Sequence, residues 1–296
     1  MTLAESETAA RAAPSPPSPR AAGRGVCVPL LTLAFTAACC AHAAPATRPY
    51  AAPSSDALMA TLTARQTAVR GMNARARATS WIDGDRVRAT VNMLVQRDGH
   101  LRFEAEVSLQ GMVAALATDG TTFAFFDAHK NELSRGPACP ENVASLIRIP
   151  LAPADVAALL LGDARAPDGA MPQPVQWDAG NGGDMLVLRA PDEHMLVYTF
   201  RGSSDADRVL VGVMRLDKGG KRAWRASFED LETVGGVRVP GTIRFAERDT
   251  SFDDGVEIKF KDRTLNAAPA PNAFTLAPPA GATIVDVGCG PAPASH

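Results

Sequence analysis

Histidines are the first side chains of this sequence to consider for chemistry, because histidine is the commonest general base at neutral pH. The folded part contains His100, His129 and His194, and His296 ends the chain. The first three lie in or beside predicted turns, and none has a second His four residues on or a Cys at zinc-ligand spacing. We interpret them as surface residues, and the sequence predicts no catalytic residue, no metal site and no cofactor.

Two carboxylates form the next candidate. Glu104 and Glu106 are two residues apart on a predicted strand, so their side chains point the same way, as in the carboxylate pair of a glycosidase. The alternation of the strand places both on its wet face, which favours solvated charges over a catalytic pair. The sequence also has no G-x-S-x-G motif, no phosphate-binding glycine loop and no Cys/His nucleophile pattern. We therefore predict a protein that is not an enzyme.

Cysteines are the remaining reactive side chains. Three of the five, Cys27, Cys39 and Cys40, lie near the N-terminus, so Cys139 and Cys289 are the thiols of the folded part. An even pair in an oxidising compartment indicates a disulfide, here closing a loop of about 150 residues. Two separate buried thiols remain the alternative, since a sequence does not show proximity.

An apolar run of about 13 residues, 26–38, follows Arg11, Arg20 and Arg24. Its length lies within the roughly 7–15 residues of a signal-peptide core and below the roughly 20 that span a bilayer. The order of positive, apolar and small residues predicts an export signal. Residues 1–38, which include a disordered or misassigned N-terminal extension, are then absent from the mature protein.

Two cleavage sites compete after this run. Thr36-Ala37-Ala38 before Cys39 resembles a bacterial lipobox, which would leave Cys39 as an acylated N-terminus. Ala41-His42-Ala43 offers the A-x-A site of ordinary signal peptidase, which would release a soluble periplasmic protein. We favour lipidation of Cys39, with the soluble form as the alternative.

Charge and length limit the classes of protein that remain. The sequence has 30 basic and 32 acidic residues, and no block of like charge occurs in the mature part. The charge pattern therefore does not indicate nucleic-acid binding. After the signal and a linker over residues 39–53, about 240 residues remain, a size that one β domain can fill. We predict a single domain over residues 54–290 and a tail over 291–296.

Hydrophobic periodicity predicts a mainly β (α+β) fold. Period-two alternation indicates about ten or eleven antiparallel strands, and three helices cover their apolar face. Asp-Gly and similar turns separate neighbouring strands. The helices are predicted over residues 55–70, 142–148 and 153–162, and the strands over 87–96, 101–110, 112–118, 122–126, 185–188, 195–200, 209–216, 223–231, 237–246 and 256–260.

Many large apolar side chains share one face of this sheet. They can line a cavity for an acyl chain, because such pockets need apolar walls and few polar groups. A tightly packed core is the alternative, which alternation alone does not separate from a cavity. The candidate lining residues are Met93, Phe103, Phe123, Phe125, Leu151 and Met195.

Five segments, in this order and spacing, resemble the LolB-type outer-membrane lipoproteins of the LolA/LolB-like superfamily. They are residues 100–104 (HLRFE), 109–111 (LQG), 141–151 (ENVASLIRIPL), 159–162 (LLLG) and 272–284 (NAFTLAPPAGATI). The resemblance implies an unclosed antiparallel half-barrel with helices on its concave side and an apolar cavity for lipoprotein acyl chains. It also implies a receptor at the outer membrane that accepts lipoproteins from a periplasmic carrier without ATP or metal.

In LolB-type proteins, a protruding Leu just before a corner Gly helps to deliver lipid to the bilayer. Here Gln110 precedes Gly111, and the resemblance leaves Leu109 or Met112 to form the membrane-contact loop. It raises the expectation that Cys39 is acylated, because a receptor must be held at its membrane.

The sequence thus predicts a monomeric, lipid-anchored protein of the outer membrane that faces the periplasm, binds acyl chains or lipoproteins and is not an enzyme. The alternative is an envelope structural or regulatory module that uses the same fold to bind a protein partner, as anti-sigma-factor regulators of this fold do.

Overall fold

Alternating apolar and polar residues build most of this chain into one open β-sheet. The structure, a computed structural model, describes residues 47–82, 85–107, 111–248 and 250–290. The helices are α1 (Ser55–Ala68), α2 (Pro140–Ile147) and α3 (Pro153–Leu160). The strands are β1 (Gly71–Ile82), β2 (Asp85–Gln96), β3 (His100–Val107), β4 (Gly111–Asp119), β5 (Thr122–Asp127), β6 (Glu132–Pro137), β7 (Met171–Pro172), β8 (Gln176–Asp178), β9 (Gly183–Arg189), β10 (Met195–Arg201), β11 (Val209–Leu216), β12 (Arg222–Val234), β13 (Val237–Glu247), β14 (Val256–Leu265) and β15 (Thr283–Asp286).

The sheet runs in the order β15-β6-β5-β4-β3-β2-β1-β14-β13-β12-β11-β10-β9-β7, and β8 pairs with β9. Neighbouring strands are antiparallel except for β15, which is parallel to β6. β1 and β14 join the two halves, so strands that are far apart in the sequence meet in the middle of the sheet. The two outermost strands do not pair with each other, which confirms the predicted unclosed half-barrel with three helices.

The described residues form fifteen strands rather than ten or eleven. β1 was missed because small alanines carry its alternation: Ala74 and Ala76 are buried, while Arg75 and Arg77 are exposed. The strand also contains the buried Met72, beyond the end of the predicted helix. β6 was missed because its sequence, ELSRGP, has the composition of a turn. The others, β7, β8 and β15, have two to four residues each.

Ordinary capping signals set the helix bounds. The Ser54 side chain accepts a hydrogen bond from the Ala57 N–H at 3.1 Å at the start of α1. α2 and α3 each begin with a proline, whose missing N–H costs nothing in a first turn. α1 ends at Ala68, two residues before the predicted end, because Val69 is extended and leads into β1. In the described part of the chain, no helix has both the length and the apolar character needed to cross a membrane.

One apolar core fills the concave side of the sheet beneath the helices. α1 contributes the buried Leu58 and Leu62, and nearly all of α3 is buried. α3 contacts β2 and β3, whereas α2 contacts β4 and β5. Residues 266–290, which follow β14, are called the C-terminal segment below. A smaller cluster, Ala115, Phe126 and Leu133, packs separately against Leu276 and Ala282 of this segment. The C-terminal segment thereby covers part of the sheet that the helices leave open.

A disulfide holds this C-terminal segment in place. Cys139 precedes α2, and its Cα atom lies 6.0 Å from that of Cys289, to which it is bonded. The structure thus selects the disulfide over two separate thiols. Just before Cys289, β15 pairs with β6 and the Val287 N–H donates to the Arg135 carbonyl at 2.8 Å.

Candidate functional site

The proposed cavity residues lie mainly within the packed core. Met93, Phe103, Phe123 and Leu151 are each at most 8 % exposed and belong to the core cluster. Phe125 is partly buried against the same cluster. Met195 is half-buried on β10, and its neighbour Leu196 is the residue that enters the core.

A pocket of about 230 Å³ opens between α3, the segment that follows it, and strands β10 to β12. Among the six residues predicted from the sequence, Leu151 alone lines it. Register explains one wall: Arg215 of β11 is directly opposite Leu196 of β10 and Trp224 of β12, so the three share one face. The lining residues are Leu151, Asp155, Leu159, Ala164, Arg165, Ala166, Pro167, Asp168, His194, Leu196, Arg215 and Trp224.

Apolar and charged side chains both line the pocket. Leu151, Leu159, Leu196 and Trp224 belong to the core cluster, so the apolar wall continues into the protein interior. The Trp224 ring is tilted against Phe245, with the ring centroids 6.0 Å apart. Such walls can hold a hydrocarbon chain, because burial of apolar surface stabilises it without directional contacts.

Charged side chains of both signs are among the lining residues. Arg165 Nη1 lies 3.8 Å from Asp155 Oδ1, and both side chains are partly exposed. Burial raises the pKa of the Asp155 carboxyl above its ordinary value, and the positive charges of Arg165 and Arg215 oppose that shift. Beside them, His194 Nδ1 contacts the Asp192 carboxylate. The lining therefore offers hydrogen-bonding groups to the polar end of a ligand.

The Arg65 side chain holds the end of α3, next to the pocket. Arg65 of α1 donates to the Leu161 and Gly162 carbonyls at 2.8 and 2.9 Å. These are orphan acceptors at the end of the helix, so the guanidinium acts as its cap. The same side chain reaches the Arg238 carbonyl at 2.5 Å, which ties α1 and α3 to the sheet.

A buried carboxylate completes this support. Asp163 is fully buried, its Oδ2 accepts from Arg97 Nη1 at 3.0 Å, and its Oδ1 accepts from the Ala164 N–H at 2.7 Å. Burial raises the pKa of Asp163, and Arg97 is the main opposing influence. The fully buried Tyr198 donates to the Ala164 carbonyl at 3.5 Å, and burial raises the pKa of its phenol. These contacts hold the base of the pocket in one arrangement.

Sequence reasoning missed Asp163, Arg65 and Arg97, because they lie 32 to 98 residues apart in the chain and none belongs to a motif. Trp224 is the one pocket residue among these omissions that the sequence pattern could have identified. It continues the inward alternation of Ala226 and Phe228 on β12, a pattern that the sequence displays directly.

The residues first considered for catalysis are apart from this pocket, except for His194. Glu104 accepts from Arg102 Nη2 at 2.7 Å, and Glu106 accepts from Asn92 Nδ2 at 3.1 Å. His100 packs edge-on against Phe274, with ring centroids 5.1 Å apart. Among the residues that the structure describes, no three His, Cys, Asp or Glu side chains are grouped to hold a metal ion.

Two predicted membrane features fall partly outside the described residues. Cys39, the lipidation candidate, and Leu109 lie outside them. Met112, the second candidate for the membrane-contact loop, lies at the start of β4 and is 43 % exposed.

Solved structures that are similar to this chain include the following three. A LolA superfamily protein from Nitrosomonas europaea has a TM-score of 0.53 and 12 % identity, covering 76 % of this chain and 99 % of its own. A DUF1329 family protein from Desulfovibrio piger has a TM-score of 0.53 and 12 % identity, with coverage of 75 % and 95 %. An outer membrane lipoprotein-sorting protein domain from Vibrio parahaemolyticus has a TM-score of 0.52 and 10 % identity, with the same coverage of 75 % and 95 %.

No family model and no curated protein matches the sequence. At 10–12 % identity, the structural matches establish the fold but not a function. The narrower resemblance to LolB-type receptors stays a prediction. At the level of the superfamily, the prediction is confirmed: the protein has the fold of the LolA superfamily.

Proposed function

We propose that this protein binds lipid acyl chains, free or attached to lipoproteins, on the concave side of its half-barrel and without catalysis. The observation that carries this proposal is the pocket beside α3, whose lining combines side chains of the apolar core with charged side chains. An acyl chain with a polar end matches both parts. The LolA-superfamily fold supports the same function.

The volume of the pocket indicates how a ligand would enter it. The pocket of about 230 Å³ is smaller than the roughly 300–1,000 Å³ of most ligand pockets, so binding requires local opening. Arg65 and Asp163 hold the end of α3, whereas the wall formed by residues 165–168 is partly exposed. We propose that this wall moves aside to admit the chain.

The proposed setting is the outer membrane, with the domain facing the periplasm. There, a lipidated Cys39 would anchor the protein, and a periplasmic carrier would deliver lipoproteins to it. The export signal predicted from the sequence supports this setting, as does the similarity to a lipoprotein-sorting domain. In this proposal the protein acts in lipoprotein localisation.

Direct titration with an acyl probe tests the proposal. Ala166 lines the pocket and is half-buried, so Ala166→Trp fills the space, whereas Ala206→Trp adds the same side chain on an exposed loop. We expect cis-parinaric acid to bind the purified protein and the Ala206→Trp control alike, and the Ala166→Trp variant at least about tenfold more weakly.

Lipid extraction and mass spectrometry of protein purified from membranes provide the second measurement. Co-purifying acyl lipids would support the proposal. Equal binding of the probe by both tryptophan variants, or a purified protein that neither carries nor binds acyl chains, would contradict it.

The second candidate is an envelope module that binds a protein partner. β15 favours it, because among the described residues this edge strand pairs with β6 alone, and its Ile284 is 46 % exposed. A free edge can accept a strand of another chain. Crosslinking from Ile284 to a partner, with unchanged lipoprotein sorting after deletion of the gene, would favour this candidate.

A further inference from the structure

Two hydrogen-bond donors lie side by side in the lining of the pocket. Arg215 of β11 is directly opposite Trp224 of β12, and both side chains line the pocket. Directly opposite residues of neighbouring antiparallel strands share one face of the sheet, with Cβ atoms about 4.5–5.5 Å apart. The register of β11 and β12 therefore places a guanidinium next to an indole. Arg215 and Trp224 are called the donor pair below.

The indole N–H of Trp224 is buried without an acceptor. Trp224 is 8 % exposed, and its Nε1 atom has no hydrogen-bond partner among the described residues. Glu247 of β13 is directly opposite Trp224 on its other side, but it accepts no hydrogen bond from the indole. A buried donor that lacks an acceptor costs free energy, so such groups are rare in folded proteins. Trp224 therefore brings an unsatisfied N–H to the pocket lining.

Arg215 is unpaired as well. It is half-buried, and in the described part of the chain its guanidinium forms neither an ion pair nor a hydrogen bond. Asp155, the carboxylate whose pKa the charge of Arg215 influences, is paired with Arg165 at 3.8 Å instead. Charged groups that lose water on folding are normally paired. Both members of the donor pair thus lack the oxygen acceptor that such groups usually have.

We propose that the donor pair binds the carbonyl oxygen of the acyl group whose chain occupies the pocket. A carbonyl oxygen has two lone pairs, so it can accept one hydrogen bond from the guanidinium and one from the indole N–H. Free fatty acids and acyl esters both carry this oxygen, whereas a plain hydrocarbon does not. The inference rests on the proposed function, because it assigns the polar end of the chain bound in that same pocket.

The neighbouring charges favour recognition by hydrogen bonds over recognition by net charge. Two arginines, Arg165 and Arg215, and two aspartates, Asp155 and Asp168, line the pocket, so these four charges cancel. An ester carbonyl satisfies both donors without adding a charge. A ligand whose polar end only donates hydrogen bonds, such as an alkylammonium ion, would leave both donors unsatisfied.

The surrounding leucines provide the complementary apolar contact. Leu196 of β10 is directly opposite Arg215 on the side away from Trp224, and Leu151 and Leu159 also line the pocket. The hydrocarbon chain can therefore lie against leucines while its carbonyl end meets the donor pair. This arrangement gives the bound acyl chain a defined direction in the pocket.

Three fluorescent probes that differ in their polar ends test the proposal. cis-Parinaric acid has a carboxyl group, its methyl ester has an uncharged carbonyl, and diphenylhexatriene has no oxygen. Arg215→Met and Trp224→Phe keep apolar bulk and each remove one donor, so each should weaken binding of the acid and the ester roughly threefold to tenfold. Diphenylhexatriene should bind both variants as it binds the parent protein.

Infrared spectroscopy detects the hydrogen bonds directly. The stretching frequency of a carbonyl falls when its oxygen accepts a hydrogen bond, so the band of isotope-labelled methyl palmitate should move to lower frequency on binding to the parent protein. The shift should be smaller with either Arg215→Met or Trp224→Phe. A side chain that only shapes the pocket does not change this frequency in this way.

Matched controls remove the same groups outside the pocket. Trp81 and Arg189 are exposed, and neither lines the pocket, so Trp81→Phe and Arg189→Met should bind all three probes as the parent does. Weaker binding of the acid alone would identify free fatty acids as the ligands that the donor pair recognises. Weaker binding of the ester as well would extend this recognition to esterified chains.

Other outcomes would overturn the inference. These are equal weakening of all three probes, unchanged binding of the acid and the ester by both pocket variants, or a carbonyl band that does not shift on binding. In each of these cases the protein still binds acyl chains, and the proposed function stands. If the parent protein binds none of the three probes, the proposed function fails and the inference fails with it.

Discussion

Asp163 is the residue on which the organisation of the pocket base depends most directly. Its carboxylate has no exposure to solvent, so Arg97 and the Ala164 N–H replace the water that it loses on folding. Arg97 also donates to the Val69 carbonyl at 2.7 Å, so one guanidinium joins the end of α1 to the end of α3. Removing one partner of such a buried ion pair lowers the stability strongly, because the other charge is left buried without a partner.

Arg97→Met should lower the free energy of unfolding by about 3–5 kcal/mol at pH 8, because it leaves a buried carboxylate without its cation. Burial already raises the pKa of Asp163, and losing Arg97 raises it further. Protonation then relieves the destabilisation as the pH falls, so the loss should be smaller at pH 5 than at pH 8. Urea denaturation at both values measures this difference.

The double variant Arg97→Met with Asp163→Asn is the control. It removes both charges and should recover much of the lost stability and remove its pH dependence. A loss for Arg97→Met that is equal at pH 5 and pH 8 would show that the titration of Asp163 is not its cause.

At the scale of elements, a strand that buries small residues is harder to predict from the sequence than one that buries large residues. β2 and β3 were predicted because Val91, Met93 and Phe103 alternate with polar residues, and large side chains give a strong period-two signal. β1 buries alanines instead, so the same backbone arrangement gives a weak signal. β15 could not be predicted by local pattern, because its pairing with β6 joins residues about 150 positions apart in the chain.

The disulfide is a covalent link between the C-terminal segment and the start of α2. The apolar anchorage of this segment on the smaller cluster consists of Leu276 and Ala282, and β15 is four residues long. Cys139→Ser with Cys289→Ser should therefore lower the free energy of unfolding by about 2–5 kcal/mol. Amide hydrogen exchange should show faster exchange at Val285 and Val287, with little change in β12 and β13.

A matched comparison is the parent protein treated with reductant, which should show the same loss of protection. If β15 keeps its protection without the disulfide, pairing with β6 suffices and the expectation is wrong.

At the scale of the whole molecule, the first described residues are attached to strand β9. Arg48 and Tyr50 donate to the fully buried Asp184 of β9 at 2.8 and 3.0 Å. Eight residues separate Cys39 from Arg48, so a lipid on Cys39 would hold this part of β9 within about 30 Å of its membrane. If Cys39 is lipidated as predicted, the linker would act as a short tether.

Expression in a bacterial host with the native N-terminal segment tests the anchor. We expect the mature chain to begin at Cys39 with the mass of an attached diacylglyceryl group, and Cys39→Ser to move the protein from the membrane to the soluble fraction. Cys40→Ser should leave it membrane-bound. A mature chain that begins at Ala44 would instead indicate ordinary signal peptidase and contradict lipidation.

The sequence by itself determined the local features of this protein: which segments alternate, where helices begin, and that an even pair of thiols is available to form a disulfide. These follow from side-chain size, polarity and spacing over a few residues. The resemblance of several segments in one order was enough to predict the half-barrel.

Tertiary structure alone decided the rest. It placed Arg215 between Leu196 and Trp224 and brought Arg65 and Arg97 to the end of α3. It also showed that most of the predicted cavity residues pack in the core while a different set lines the pocket. The physical reason is that burial and pairing depend on register between distant strands, and a sequence read in order does not contain that register.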